Sequence, residues 1–140
     1  MIEDEVHPLS KKFLESQGYT SYKGVCNKNG EYGSGDVPVP TECVEKVRID
    51  HQGEKQTKDG YDRLWIEDKG STGLSTLLEG FTRLLYAIYN GSGDGLLGLP
   101  HDMIQVIKAN EEFFKRLAVV AVGKGRVGIL DVETQKIYEL

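Results

Sequence analysis

A chain of 140 residues with 39% hydrophobic and 28% charged side chains can close one domain, residues 1–140, without disulfide or metal staples. Its net charge of −5, from 17 basic and 22 acidic residues, argues against a protein that grips nucleic acid mainly by neutralising phosphates, though a cation-binding site needs local acidity. No apolar run approaches the roughly 20 residues of a membrane helix. The opening Met1-Ile2-Glu3-Asp4-Glu5 is acidic, and Cys26 and Cys43 sit in no metal-ligand spacing; a cytoplasmic protein with free thiols is expected, with no membrane partner.

Pro8 suits the first position of a helix that turns Leu9, Phe13 and Leu14 inward and stops at Gly18. Glu15 on this helix could reach a metal site, but an exposed surface residue is the simpler expectation. Residues 19–26 have the β-branched and aromatic character of a strand, and the Gly- and Asn-rich residues 27–36 break it before an extended 37–40. Residues 42–51 and 61–69 read as two strands of a hairpin joined by a polar, turn-rich 52–60. After Gly70-Ser71-Thr72-Gly73, the series Leu74, Leu77, Leu78, Phe81, Leu84, Leu85 and Ile88 repeats at helical spacing and marks an amphipathic core helix. Thr76 and Glu79 have capping-box spacing, and Glu79 with Arg83 has the spacing of a surface ion pair.

Residues 96–100 read as a short buried strand. Gly93-x-Gly95-x-x-Gly98 has the letters of a dinucleotide fingerprint, but a helix precedes it and a strand follows, the reverse of what a pyrophosphate site needs. Residues 101–116 predict one helix, residues 117–122 a fully apolar buried strand, and residues 127–132 another, with a last hairpin through 133–135 returning Ile137 and Leu140. None of His7, His51 or His101 has a triad partner that the sequence can place. The element order predicts an α/β (α+β) fold, a central mixed β-sheet flanked by helices.

Chemistry concentrates at residues 47–50 and 62–69. Strand alternation sets Leu64 and Ile66 on one face and sends Trp65, Glu67 and Lys69 to the other, leaving Asp68 as a bystander. If the segment ending in Asp50 pairs alongside, two carboxylates and an ammonium meet at one point. Glu67-Asp68-Lys69 is the sole acid-x-Lys triplet of the chain, although roughly two are expected by chance at this composition, so its context carries the weight. A solvated cross-strand pair is the competing reading of Glu67 and Lys69. Asp36 is a rival for the first carboxylate, but its Gly and Pro neighbours put it on a loop, whereas Asp50 ends a strand.

The order Asp50, spacer, Glu67-x-Lys69, then a strong helix resembles the PD-(D/E)xK nuclease superfamily, with its restriction-endonuclease-like fold and its RecB-like and archaeal Holliday junction resolvase-like members. The resemblance implies a magnesium- or manganese-dependent hydrolase of phosphodiester bonds acting on DNA, as endonuclease or exonuclease. Asp50 and Glu67 would be metal ligands, Lys69 the catalytic cation, and Glu79, Arg83 and His51 a supporting ring. Glu79-x-x-x-Arg83 stands where RecB-like relatives carry Gln-x-x-x-Tyr, and it differs in both residue types. A homodimer is compatible with so small a domain. The alternative expectation is a catalytically silent domain of the same fold that binds protein or nucleic acid, which the acidic balance favours.

Overall fold

The computed structural model describes residues 1–23, 49–91 and 93–140, so the readings made for Cys26, residues 27–40, Asp36 and Cys43 lie outside the described residues. Helix α1 (Glu3–Ser16) is followed by strands β1 (Thr20–Lys23), β2 (His51–Thr57) and β3 (Gly60–Asp68), then by helix α2 (Leu74–Asn90) and strand β4 (Asp94–Leu99). A 3₁₀ turn (His101–Met103) leads into helices α3 (Ile104–Ala109) and α4 (Glu111–Ala118), a second 3₁₀ turn (Val119–Ala121), and strands β5 (Val127–Asp131) and β6 (Lys136–Glu139). The six strands form one mixed sheet in chain order. β1, β2 and β3 are antiparallel, β3, β4 and β5 run parallel, and β6 returns antiparallel.

Two cores follow from strand alternation. Leu64, Ile66, Leu96 and Leu130 face α1, where Val6, Phe13 and Leu14 cover them. Trp65, Leu97, Leu99 and Ile129 face the other way, onto Leu77, Phe81, Leu84 and Ile88 of α2 and Ile104, Ile107 and Phe114 of α3 and α4. Phe81 and Phe114 meet edge to face with ring centroids 5.1 Å apart. The result is three layers: one helix, the sheet, and three helices.

Several boundaries depart from the sequence expectation. Helix α1 begins at Glu3, not at Pro8, which lies inside it. Val6, Ser10, Phe13 and Leu14 share a buried stripe that extends the helix past the proline, and Glu3, Asp4 and Glu5 complement its N-terminal dipole. Most of the polar connection at 52–60 is strand β2, leaving Lys58 and Asp59 to turn between the paired Thr57 and Gly60. Its polar residues can be buried because they are partnered: Glu54 accepts hydrogen bonds of 3.0 and 2.8 Å from Arg63 across the ladder. Thr76 caps nothing, since α2 starts at Leu74 with Gly73 in the cap position.

The expected single helix over 101–116 breaks at Asn110, whose amide side chain donates to the Val106 carbonyl, 2.8 Å away. Residues 117–122 are not a buried strand. They continue α4 into a 3₁₀ turn that exposes Val119, Val120 and Val122, and only Ala121 among them is buried. A six-residue apolar run has no periodicity to separate strand from helix, and the sheet position beside β4 is filled by β5.

Gly93, at φ +117°, sits against the backbone of Arg63, where a Cβ would collide with the carbonyl. Gly60, at φ +142°, has nothing within 4 Å. Gly93→Ala is therefore expected to cost about 3 kcal/mol, combining strain with overpacking, and Gly60→Ala about 1 to 2 kcal/mol from strain alone. Urea titrations of the two variants check this ordering, and equal costs would contradict it.

Candidate functional site

The β2–β3 register pairs His51 with Ile66, so Asp50, the residue just before β2, stands opposite Glu67. The backbone N–H of Asp50 donates to Glu67 Oε1 at 3.3 Å, and the N–H of Asp68 donates to Asp50 Oδ2 at 2.8 Å. Asp50 and Glu67 thus share the end of β3 on the α2 side of the sheet. Glu67 is only 2% exposed, and among the described residues its Oε2 accepts no hydrogen bond. An orphaned carboxylate oxygen at such a depth is costly unless something neutralises it.

The electrostatics reflect this. Burial, then the hydrogen bond to the Asp50 side chain and the charge of Asp50, push the Glu67 carboxyl up to about 10. The Asp50 backbone N–H and the Lys69 charge pull in the opposite direction but do not prevail. Burial of Glu67 is the main cause and the neighbouring Asp50 adds to it, so Glu67 keeps a proton near neutral pH.

Lys69 leaves β3 on the same face. Its side chain runs across Gly80 of α2, where a Cβ would come within 2.8 Å of Lys69 Cε, and its Nζ reaches Glu3 Oε1 of α1 at 3.5 Å. Gly80 is an isolated glycine in a helix pattern, a signal that sequence reading passed over. Glu3, and not Glu15, is the α1 carboxylate at this corner; Glu15 pairs with Lys11 on the surface at 3.8 Å. Arg83 donates to Glu79 at 3.0 Å and holds its other terminal nitrogen 4.0 Å from Glu67 Oε2, too far for a hydrogen bond but close enough to bear on its charge.

His51 and Asp68 fall on the opposite, α1 face. Asp68 is not a bystander: it is fully buried, with His7 Nδ1 at 2.7 Å and His51 Nε2 at 2.6 Å from Oδ2, and with Ser10 Oγ donating to Oδ1 at 2.5 Å. Burial raises the Asp68 carboxyl, but the hydrogen bonds from His51, His7 and Ser10 outweigh it and hold the group below its ordinary value. The Asp68 hydrogen bond, aided by the charges of Asp68, Asp50 and Glu3, raises His7 against a smaller opposing effect of burial. Gly98 of β4 leaves room for the Ser10–Asp68 bond, because a Cβ there would meet both partners. The spacing His7-x-x-Ser10 on one helix face was the available sequence signal.

His101 also has a carboxylate partner: its Nδ1 lies 2.5 Å from Oδ2 of the buried Asp131, whose Oδ1 accepts the N–H groups of Glu133 and Thr134 at 3.1 Å. This dyad ties the turn after β4 to the end of β5.

One concavity, of about 310 Å³, is lined by Ile107, Lys108, Ile129 and Tyr138, away from these carboxylates. The carboxylate corner lies at the C-terminal end of β3, an interior strand of the sheet. Among the described residues, no helix is long and apolar enough to cross a membrane.

Because the folded Glu67 binds its proton more tightly than the unfolded chain does, its contribution to stability is full below the ordinary carboxylate value of 4.5 and is lost progressively as pH rises toward about 10. Glu67→Gln keeps the shape without the ionisation. In chelator-treated buffer, thermal melts of this variant are expected to fall less steeply than wild type between about pH 5 and about pH 9, with a higher Tm at the alkaline end. Parallel curves for the two proteins would show that Glu67 is an ordinary carboxylate.

No family model, curated protein or solved structure matches this chain.

Proposed function

We propose that the chain is a divalent-cation-dependent phosphodiester hydrolase of the restriction-endonuclease-like fold, acting on DNA, with Asp50 and Glu67 as metal ligands and Lys69 as the catalytic cation. The observation that carries this reading is the unpartnered, buried Glu67 Oε2 beside the Asp50 carboxyl. The element order supports it: one helix, three antiparallel strands with Asp50 just before the second and Glu67 near the end of the third, a helix, then a strand parallel to the third.

The donor set fits the implied cation. Two hard carboxylates, with no sulfur or imidazole on that face among the described residues, favour Mg²⁺ or Mn²⁺, and a divalent charge would offset the burial and the Asp50 charge that raise the Glu67 carboxyl. Bound there, such an ion supplies Lewis acidity toward a phosphodiester oxygen and activates water.

The chain's own residues do the rest. The Asp68 N–H fixes the Asp50 carboxylate, so that ligand does not have to be ordered when substrate arrives. Lys69, laid over Gly80, brings an ammonium to the same strand end, where it can orient a water or offset charge that builds on phosphorus. Its pair with Glu3, which is 44% exposed at the side chain, is weak enough to exchange for a phosphate. Arg83, half exposed at the rim, is placed to receive an adjacent backbone phosphate. A homodimer belongs to this reading, since one small domain presents a single such strand-end site to a duplex.

A second reading, a silent domain of the same fold that binds protein or nucleic acid, is favoured by the net charge of −5 and by the engagement of Lys69 with Glu3. The two readings separate on plasmid, linear and branched DNA incubated with Mg²⁺ or Mn²⁺. The nuclease reading expects cleavage that falls roughly 100-fold or more in Asp50→Asn, Glu67→Gln and Lys69→Ala. Cleavage that is unchanged in these variants sinks the site assignment. No cleavage, together with no Mn²⁺-induced rise in Tm for wild type, favours the silent domain.

A further inference from the structure

Behind the carboxylate corner, the α1 face of the sheet gathers a second and chemically different donor set. His7 comes from α1, His51 opens β2 and Asp68 closes β3, and one donor atom from each lies within 4.8 Å of the others. Both ring nitrogens point at the same oxygen, Asp68 Oδ2, at 2.7 and 2.6 Å, and the rings stand edge to face with centroids 5.7 Å apart. We propose that His7, His51 and Asp68 form a transition-metal site of the zinc class, distinct from the pair Asp50 and Glu67 on the other face. It rests on geometry that is independent of the nuclease reading.

Four observations support it. Two imidazoles and one carboxylate make a borderline-soft set of three protein ligands, which suits Zn²⁺ better than Mg²⁺ and leaves a coordination position for water. The second oxygen of Asp68 is already engaged by Ser10 at 2.5 Å, the orienting contact that ligating carboxylates characteristically have. Gly98 keeps that contact open from the β4 side. Access is also provided: Asp68 and His51 are buried, but the His7 side chain is 33% exposed, so an ion can enter past it.

The present separations are hydrogen-bond lengths. Ligands about 2.0 to 2.1 Å from a tetrahedral zinc stand roughly 3.3 Å apart, so each imidazole must withdraw by about 0.6 to 0.7 Å. Each ring must also present a lone pair to the ion and carry its proton on the other nitrogen. His7, at the surface end of the cluster, has the freedom to do both. An ion held here would pin α1 to β2 and β3 and would stiffen Asp68, whose backbone N–H holds Asp50 from behind. The site is therefore a positioning device for whatever the other face does.

The test is zinc titration of the full chain after chelator treatment, followed by calorimetry and by the visible spectrum of the Co²⁺ form. One equivalent of Zn²⁺ is expected to bind, and the Co²⁺ form should give the intense spectrum of low-coordinate imidazole ligation. His7→Ala should abolish this binding, and Ser10→Ala should weaken it roughly 10- to 100-fold. The double variant Asp50→Asn with Glu67→Gln should retain it. No zinc uptake by wild type, uptake unchanged in His7→Ala, or loss of uptake in the double variant would each overturn the proposal. Because His7 is partly exposed, its replacement can be checked for a native circular dichroism spectrum; the wild-type Co²⁺ spectrum decides the question in any case, a pale oxygen-ligated spectrum being the refuting one.

Discussion

The register between β2 and β3 is the constraint on which this corner of the molecule depends. Pairing His51 with Ile66 sets Asp50 opposite Glu67. Side chains alternate across a strand, so the same register sends Glu67 and Lys69 toward α2 while Asp68 and His51 go toward α1. A slip of one residue would exchange the two faces, putting Asp68 under α2 and Glu67 against Ser10. The apolar residues forbid it: Leu64 and Ile66 must meet α1, and Trp65 must meet the larger core beneath α2. Packing of the hydrophobic residues thus decides where the ionisable ones stand.

Once placed, the buried charges divide by how they are satisfied. Glu54 is paired with Arg63, Asp68 with two histidines and a serine, and Asp131 with His101 and two backbone N–H groups. Breaking such an arrangement by removing one partner leaves an uncompensated polar group and costs about 3 to 5 kcal/mol when both members are charged. Glu67 differs. One of its oxygens is left without a donor, and its neighbour Asp50 carries the same sign of charge. An arrangement that is unfavourable for stability and sits beside a lysine at a strand end is the feature on which the proposed cation role rests.

Glycines make the close approaches possible. Gly80 gives Lys69 a path across α2, Gly98 leaves space for the Ser10–Asp68 bond, and Gly95 lets Leu84 and Ile88 settle onto β4. Three letters that spell a nucleotide fingerprint, Gly93, Gly95 and Gly98, therefore serve packing: each admits a neighbouring element where a side chain would collide. The reversed order of helix and strand around them had already argued against a phosphate cradle.

Local pattern carried a good part of the fold. The seven apolar residues of α2 at helical spacing, the alternation at 64–69 and the turn residues at 70–73 were legible in the sequence because each rests on a periodicity contained within one element. The co-location of Asp50 with Glu67, and of Lys69 on the same face, could be anticipated from that alternation together with one pairing assumption. What the chain by itself did not reveal was decided by contacts between distant segments. His7 and Asp68 are 61 residues apart, and Glu3 reaches Lys69 only because α1 lies across the sheet. The polar residues of β2 looked like a loop because their partner Arg63 is supplied by the neighbouring strand, and the apolar 117–122 looked like a buried strand because nothing local says that β5 already fills that place. Sequence determined the faces of the helices and strands, since that information is periodic and short-range; tertiary structure alone decided which buried polar groups found partners, since a partner is a property of two elements and not of one.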